Sequence, residues 1–336
     1  NFFRPSLRVA IAVPIALLFA ITAVLQTVTQ QEQINQLIDR ASVRLLDALT
    51  NTAKNNLVEY LDEPFRIQRD IADAIARHQL YREGDLSPIY HHFSSIFQEL
   101  YLDRRQISVL SFGSRAGEYA GMRREGERAP FTLMLKDSST RGMLNIYDGD
   151  SPGTVVAAFP FYDPRSRPWF VPAAQSRRSV WSDIYTNYDE RSGISISATS
   201  PVFIGDELLG VVEAAVNLDG LNRFLRDEPL RGTGLIFIAD QEGRLVAHSE
   251  PGSVAATGGG ASQRGERMLM SESSSPYIRA AAKQTELLHT GGSENFKLSV
   301  GGALFFCRIS PYANANGINW RIIALVPEAE LMGSAR

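Results

Sequence analysis

The chain has 336 residues, 44% of them hydrophobic and 21% charged, with a formal net charge of −3. That is a globular composition, with room for a membrane segment and about two ordinary domains, and it lacks the basic excess of a nucleic-acid binder. The single cysteine, Cys307, excludes an intrachain disulfide and any cysteine-based metal site, and its apolar setting, ALFFCRI, predicts a buried strand position.

The chain starts at Asn1 and stops at Arg336 without an end signal, so we expect a piece of a longer protein. Residues 9–28, VAIAVPIALLFAITAVLQTV, carry no charge and are long enough to cross a bilayer core as a helix. Arg4 and Arg8 precede them and the next basic residue is Arg40. The positive-inside bias then puts the N-terminus in the cytoplasm and the residues after about 30 outside. A cleaved signal peptide is the competing reading, disfavoured by the length of the apolar run and the lack of a small-residue cleavage site.

From residue 30 to about 78, apolar side chains recur at threes and fours: Ile34, Leu37, Ile38, Ala41, Leu45, Leu46 and Leu49, continuing to Ile75. This spacing predicts a long amphipathic helix, bent or interrupted at Pro64. Its stripe is expected to pack on its own domain at the top and against a second copy over residues 34–49. His91 and His92 are adjacent in IYHHFSSIF and would point apart on a helix, so no shared metal is expected.

Short strand patterns begin at Ile107, in ISVLSF, GEYAGMRR, FTLMLKD and MLNIYD. The densest stretch follows at residues 162–185, YDPRSRPWFVPAAQSRRSVWSDIY, with three prolines and four arginines. Pro164, Pro168 and Pro172 stiffen the backbone, so Arg165, Arg167 and Trp169 are presented from a rigid loop entering a short helix, as suits a preorganised pocket. Two longer strands, ISISATSPVF and ELLGVVEAAVNL, turn at Gly205 and Asp206, which sets the loop over one face of that sheet. A helix from Leu218 to Arg226 leads to a second sheet: GLIFIA, RLVAHS, a Gly- and Ser-rich loop at 250–265, a helix over 276–289, and the strands NFKLSV, ALFFCRI and NWRIIALV.

The segments FYDPRSRPWF, WSDIY and LLGVVEAAVNLDGL resemble the double-Cache (tandem PAS-like) extracytoplasmic sensor domains of bacterial transmembrane receptors, over about residues 30–330. The resemblance implies an α+β fold with an N-terminal transmembrane helix, a long stalk helix and two PAS-like antiparallel-sheet domains in tandem. The expected divisions are 1–30 for the cytoplasmic end and membrane helix, 31–82 for the stalk, 83–228 for a membrane-distal domain with the ligand pocket, 229–330 for a membrane-proximal domain, and 331–336 for the start of a link to a second membrane helix. It further implies a bacterial inner-membrane receptor that is a homodimer in full, with its sensor in the periplasm. The sensor would signal to a cyclase, kinase, phosphatase or chemotaxis output.

In members that bind amino acids, an Arg and a Trp of this loop hold the ligand carboxylate, and a Tyr with acidic residues holds the ammonium. Arg167, Trp169 and Tyr185 match that pattern. Phe170 stands where a Tyr is usual, Asn187 where an Asp is usual, and Ala215 where the penultimate strand brings an Asp. Glu213, two residues before Ala215 and on the same strand face, is the one substitute carboxylate. With Tyr162, these eight are the candidate ligand-binding residues. A guanidinium grips a carboxylate through parallel hydrogen bonds, so the expected ligand is a small organic anion or a carboxylate with an uncharged group.

An amino acid held through Glu213, and a ligand-free dimerisation scaffold, are the alternatives. A plainer reading has Arg165 and Arg167 pairing with Asp163 and Asp183, with Trp169 and Trp181 as core. The chain carries no phosphate loop, nucleophile elbow or His-Glu-x-x-His helix, so catalysis is not expected, nor is a cofactor or metal.

Overall fold

A computed structural model of the chain describes residues 7–100, 106–124, 131–188, 193–227, 234–255, 266–285 and 292–333, with the side chains of 7–14, 99–100 and 331–333 left aside. Helix α1, Leu7–Arg77, is one helix of 71 residues, on the order of 100 Å long at about 1.5 Å per residue. It runs through Pro64, where a bend or an interruption was expected, without an interruption. An interior proline costs roughly 3 kcal/mol, and burial of the apolar Leu61, Phe65 and Ile71 on either side of it is large enough to offset that. Among the described residues no helix is long and apolar enough to cross a membrane. The expected span at 9–28 falls partly outside the residues whose side chains are described; within it Leu17, Leu18, Phe19, Ile21, Val24 and Leu25 are all exposed.

Helix α2, Ser87–Leu100, is started by the Asp85 carboxylate, which accepts from Ser87 N at 2.9 Å. Its buried Ile89, Tyr90, Phe93 and Phe97 fall at helical spacing and cover the sheet that follows. His91 is exposed and His92 half-buried on this helix. No cluster of His, Cys, Asp or Glu able to hold a metal exists among the described residues.

The first sheet holds β1 (Ile107–Ser114), β2 (Tyr119–Arg124), β3 (Phe131–Lys136), β4 (Leu144–Tyr147), β5 (Val155–Phe159), β6 (Val180–Trp181), β7 (Tyr185–Thr186), β8 (Ile194–Ile204) and β9 (Glu207–Asn217), with helix α3 (Phe170–Ser176) between β5 and β6. Its strand order is β5-β4-β3-β2-β1-β9-β8-β6, with β7 also pairing β8. Strand β5 carried no recognised pattern because it is an edge strand whose Val155 and Val156 face solvent. Strand alternation gives the sheet two faces. One packs Leu110, Phe112, Met122 and Val212 against Ile71, Ile75 and the aromatics of α2; the other carries Val109, Tyr119, Met134, Val211 and Ala215 under the 162–185 loop.

Helix α4 (Leu218–Asp227) leads to the second sheet: β10 (Leu235–Asp240), β11 (Leu245–His248), helix α5 (Pro276–Thr285), β12 (Glu294–Val300), β13 (Ala303–Ala313) and β14 (Asn319–Pro327), followed by a short helix α6 (Glu328–Gly333). Its order is β11-β10-β14-β13-β12. The expected helix over 276–289 and the expected loop at 250–265 each run partly outside the described residues.

Leu46, Ala53, Leu57 and Leu61 of α1 join Phe237, Val246, Cys307 and Ile323 of the second sheet, and Ile196 and Ala198 of the first, in one core. Cys307 is fully buried, and burial pushes its thiol pKa up. Asp47 and Asp39 of α1 bridge Arg308 at 2.5 Å and Lys297 at 2.6 Å on the second sheet. Leu46 therefore faces inward, while Ile34, Leu37 and Val43 remain exposed.

Candidate functional site

The 162–185 loop is built by its own side chains. Asp163 accepts from Arg165 N at 3.0 Å, capping a 3-10 turn at Pro164–Ser166, and takes the Arg165 guanidinium at 2.8 Å. That bond from Arg165 holds the Asp163 carboxyl below its usual range. Arg165 is thus committed to the loop, as the plainer reading had it. Lys136 of β3 ties the loop down by donating to the Tyr162 carbonyl at 2.5 Å. The loop then lies flat on β1: a Cβ at Gly113 would stand 2.7 Å from Pro164 Cβ and 2.8 Å from the Trp169 ring. Only glycine permits that approach.

Between loop and sheet lies a pocket of about 480 Å³, the open mouth included, lined by eight strand side chains and six from the loop and its exit. Of the candidate residues, Tyr162, Arg167, Trp169, Tyr185, Asn187, Glu213 and Ala215 line it. Phe170 does not: it starts α3 and packs edge-on behind Trp169, ring centroids 5.7 Å apart. Trp181 belongs to the core shared with α1, 5.9 Å from Phe65.

Arg167 departs from the plainer reading. One of its amino groups donates to the Thr186 carbonyl at 3.0 Å, and its guanidinium stands over Tyr185 at 5.7 Å and Tyr188 at 5.5 Å. It makes no ion pair among the described residues, with Asp183 or any other. A guanidinium has five N–H donors, so Arg167, which lines the pocket, keeps donor capacity beyond the Thr186 bond. The Tyr162 hydroxyl likewise has no hydrogen-bond partner among the described residues.

Glu213 is in the opposite condition. It is 3% exposed, and its carboxylate accepts from Ser111 Oγ at 2.6 Å, from Ser197 Oγ at 2.6 Å and from the Tyr185 hydroxyl. Burial raises its pKa, against the pull of these hydroxyls and of Arg167. Burial also holds Tyr162 and Tyr185 well above the ordinary tyrosine value, so Tyr185 keeps its proton and is a donor to Glu213. Asn187 donates to Ser195 Oγ at 3.0 Å.

Arg123 and Tyr119 of β2, Tyr188, and the serines around Glu213 were not singled out from sequence. The signal was there as alternation: Tyr119, Gly121 and Arg123 share one face of β2, and Ser195, Ser197 and Thr199 share one face of β8. Arg123 is 2% exposed and lines the pocket.

The family described as Cache domain matches residues 30–335. Among curated proteins the chain is 32% identical over 121 residues to the methyl-accepting chemotaxis protein McpA of Pseudomonas putida, covering 34% of this chain and 18% of that one. It is 28% identical over 88 residues to McpC of Bacillus subtilis, covering 26% and 13%. The matches thus span under a fifth of those relatives. Among solved structures, the ligand-binding domain of the Pseudomonas fluorescens chemoreceptor CtaA with L-leucine superposes with a TM-score of 0.56 at 17% identity, over 89% of this chain and 99% of that one. The ligand-binding domain of PctB of Pseudomonas aeruginosa with L-Arg gives 0.52 at 16%, over 86% and 96%. These superpositions show a shared fold.

Proposed function

From the premise that the chain belongs to the Cache domain family, we propose that it is the extracytoplasmic sensing region of a bacterial membrane receptor, binding a small carboxylate in the pocket of its first sheet. Arg167 carries this reading: it lines the pocket and has no anionic partner among the described residues, while Glu213, the one carboxylate lining the pocket among them, already accepts from three hydroxyls. A carboxylate ligand accepts from Arg167 and from the Tyr162 hydroxyl, and Trp169 walls its apolar part. An ammonium would meet Asn187 and Ala215, which are neutral, and an unpartnered buried charge costs at least about 1–3 kcal/mol.

A second reading, an amino-acid ligand, is favoured by the position of Glu213 at the pocket and by the amino acids bound in the CtaA and PctB structures. Titration calorimetry with short carboxylates and with amino acids separates the two. The first reading expects a carboxylate whose binding is lost in Arg167→Ala, with circular dichroism unchanged. Micromolar binding of an amino acid, lost in Glu213→Gln, would replace it with the second.

We place residues 9–28 of α1 across the membrane from the length of that uncharged run, with apolar side chains exposed along 15–28, and the homodimer contact on the exposed Ile34, Leu37 and Ala41, spaced at three and four. Occupancy of the pocket would reach the membrane through α1, because the strands under the pocket and the second sheet pack on that one helix.

A further inference from the structure

The pocket floor changes character along the sheet. Its polar members, Glu213 and the Ser111, Ser197 and Tyr185 hydroxyls around it, come from β1, β7, β8 and β9. On the far side of β2, every side chain that β3 and β4 contribute to the pocket is apolar: Met134, Leu144 and Ile146. Their backing is apolar too, since the edge strand β5 sets Ala157 opposite Ile146 and Phe159 opposite Leu144. Met134 stands at the line between the halves. Its partner on β2 is Gly121, where a Cβ would lie 2.9 Å from the Met134 methyl carbon and 2.5 Å from the Tyr119 hydroxyl oxygen. The thioether and the Tyr119 ring thus occupy the space that the glycine leaves.

Arg167 is close to this apolar half. Its guanidinium stands 5.5 Å from the Tyr188 ring, which meets Tyr162 at 5.0 Å and Phe159 of β5 at 5.5 Å. The anchor and the apolar half are therefore within reach of one short ligand. A tail laid over β3 and β4 meets no hydrogen-bonding side chain from either strand. Arg123 of β2 also lines the pocket and already has an interaction of its own. Each methylene buried in such a place strengthens binding about fourfold, whereas a hydroxyl or second carboxylate there is desolvated without a partner from those strands.

We propose that the pocket selects a monocarboxylate with a short aliphatic tail, its carboxylate on Arg167 and its tail on Met134, Leu144 and Ile146, with Met134 the specificity-determining residue. The proposal rests on the reading of this pocket as a carboxylate site and names the rest of the ligand.

Calorimetry on the unmodified chain tests it with propionate, butyrate and valerate, and with glutarate and γ-hydroxybutyrate, which put a carboxylate or a hydroxyl where valerate has its end methyl. Affinity should rise about threefold or more with each added carbon from propionate to valerate. Valerate should bind tenfold or more tightly than either polar analogue. Met134→Gln should bring valerate and γ-hydroxybutyrate to within about threefold of each other, and Met134→Leu, which keeps the volume and the apolar surface, should preserve the gap. Arg167→Ala should weaken every acid in the set. An affinity flat along the series, or glutarate or γ-hydroxybutyrate bound as tightly as valerate, would overturn the aliphatic-tail reading and leave the carboxylate site standing. A gap that survives Met134→Gln would overturn the role of Met134. Binding of amino acids alone, dependent on Glu213, would overturn the proposal and the carboxylate site together. The comparison of ligands on the unmodified chain stays decisive even if a Met134 variant does not fold.

Discussion

The two sheets share a plan and differ in what they do with an arginine from the chain packed over them. In each, the first strand pairs antiparallel with the strand after it and with the last strand, which pairs in turn with the one before it: β2-β1-β9-β8 in one, β11-β10-β14-β13 in the other. In the second sheet Arg267 is closed off. Its guanidinium bridges Asp240 at 2.5 Å and donates to the Leu245 carbonyl at 3.1 Å and the Arg244 carbonyl at 3.4 Å, while the other Asp240 oxygen accepts from Glu242 N and Arg244 N. In the first sheet Arg167 has one carbonyl and two aromatic rings. One arginine fastens a loop to a hairpin and the other is left able to bind. The topology does not decide this. A chain segment inserted over the first sheet does, together with the polar face of β8.

The largest effect that would sharpen this contrast is on Arg267. Arg267→Ala strands Asp240 at a buried position, and breaking a buried pair on one side costs about 3–5 kcal/mol. Urea unfolding should show a loss of that size with ligand affinity unchanged in the folded protein. A loss below about 1 kcal/mol would mean the clasp is not what holds the hairpin.

A smaller, pH-dependent effect belongs to the first sheet alone. Burial raises Glu213 above its ordinary value of 4.5. Between 4.5 and that raised value the folded protein keeps a proton that the unfolded chain has released, so this group's contribution to stability falls as pH rises through the window. Glu213→Gln cannot ionise and lacks one acceptor for the three hydroxyls, so it starts less stable. Its deficit against the unmodified protein should narrow from acid toward neutral pH in paired urea titrations. A deficit constant across pH would show that Glu213 does not titrate at a raised pKa.

The smallest effect concerns what the two sheets have in common, the long helix. Arg308→Ala removes the Asp47 bridge, in which Arg308 is 15% and Asp47 40% exposed at the side chain. A pair this open is worth about 0.5–1 kcal/mol and is screened by salt. Thermal melts at low and high salt should converge, with ligand binding untouched. A larger, salt-independent loss would mean that the helix and the second sheet are held together mainly there.

The sequence by itself determined the elements whose residues answer to local rules. Helix α1 was legible from its spacing, the β8–β9 hairpin from its Gly205-Asp206 turn, and the rigid loop from its prolines. Strand β5 escaped because edge exposure erases alternation, and of the bend or interruption expected at Pro64 no interruption occurs, because apolar burial on both sides outweighs a local cost.

Only the tertiary structure decided the partners of each charge. Arg165 and Arg167 stand two positions apart in one motif, yet one is bound to Asp163 and the other faces the pocket. Glu213 met three hydroxyls from β1, β7 and β8 rather than open space. Arg123, with no motif around it, reached the pocket through the register of β2 on β1. Strand patterning tells which face a side chain takes, but register across strands far apart in sequence tells what it meets there, and that depends on every strand between.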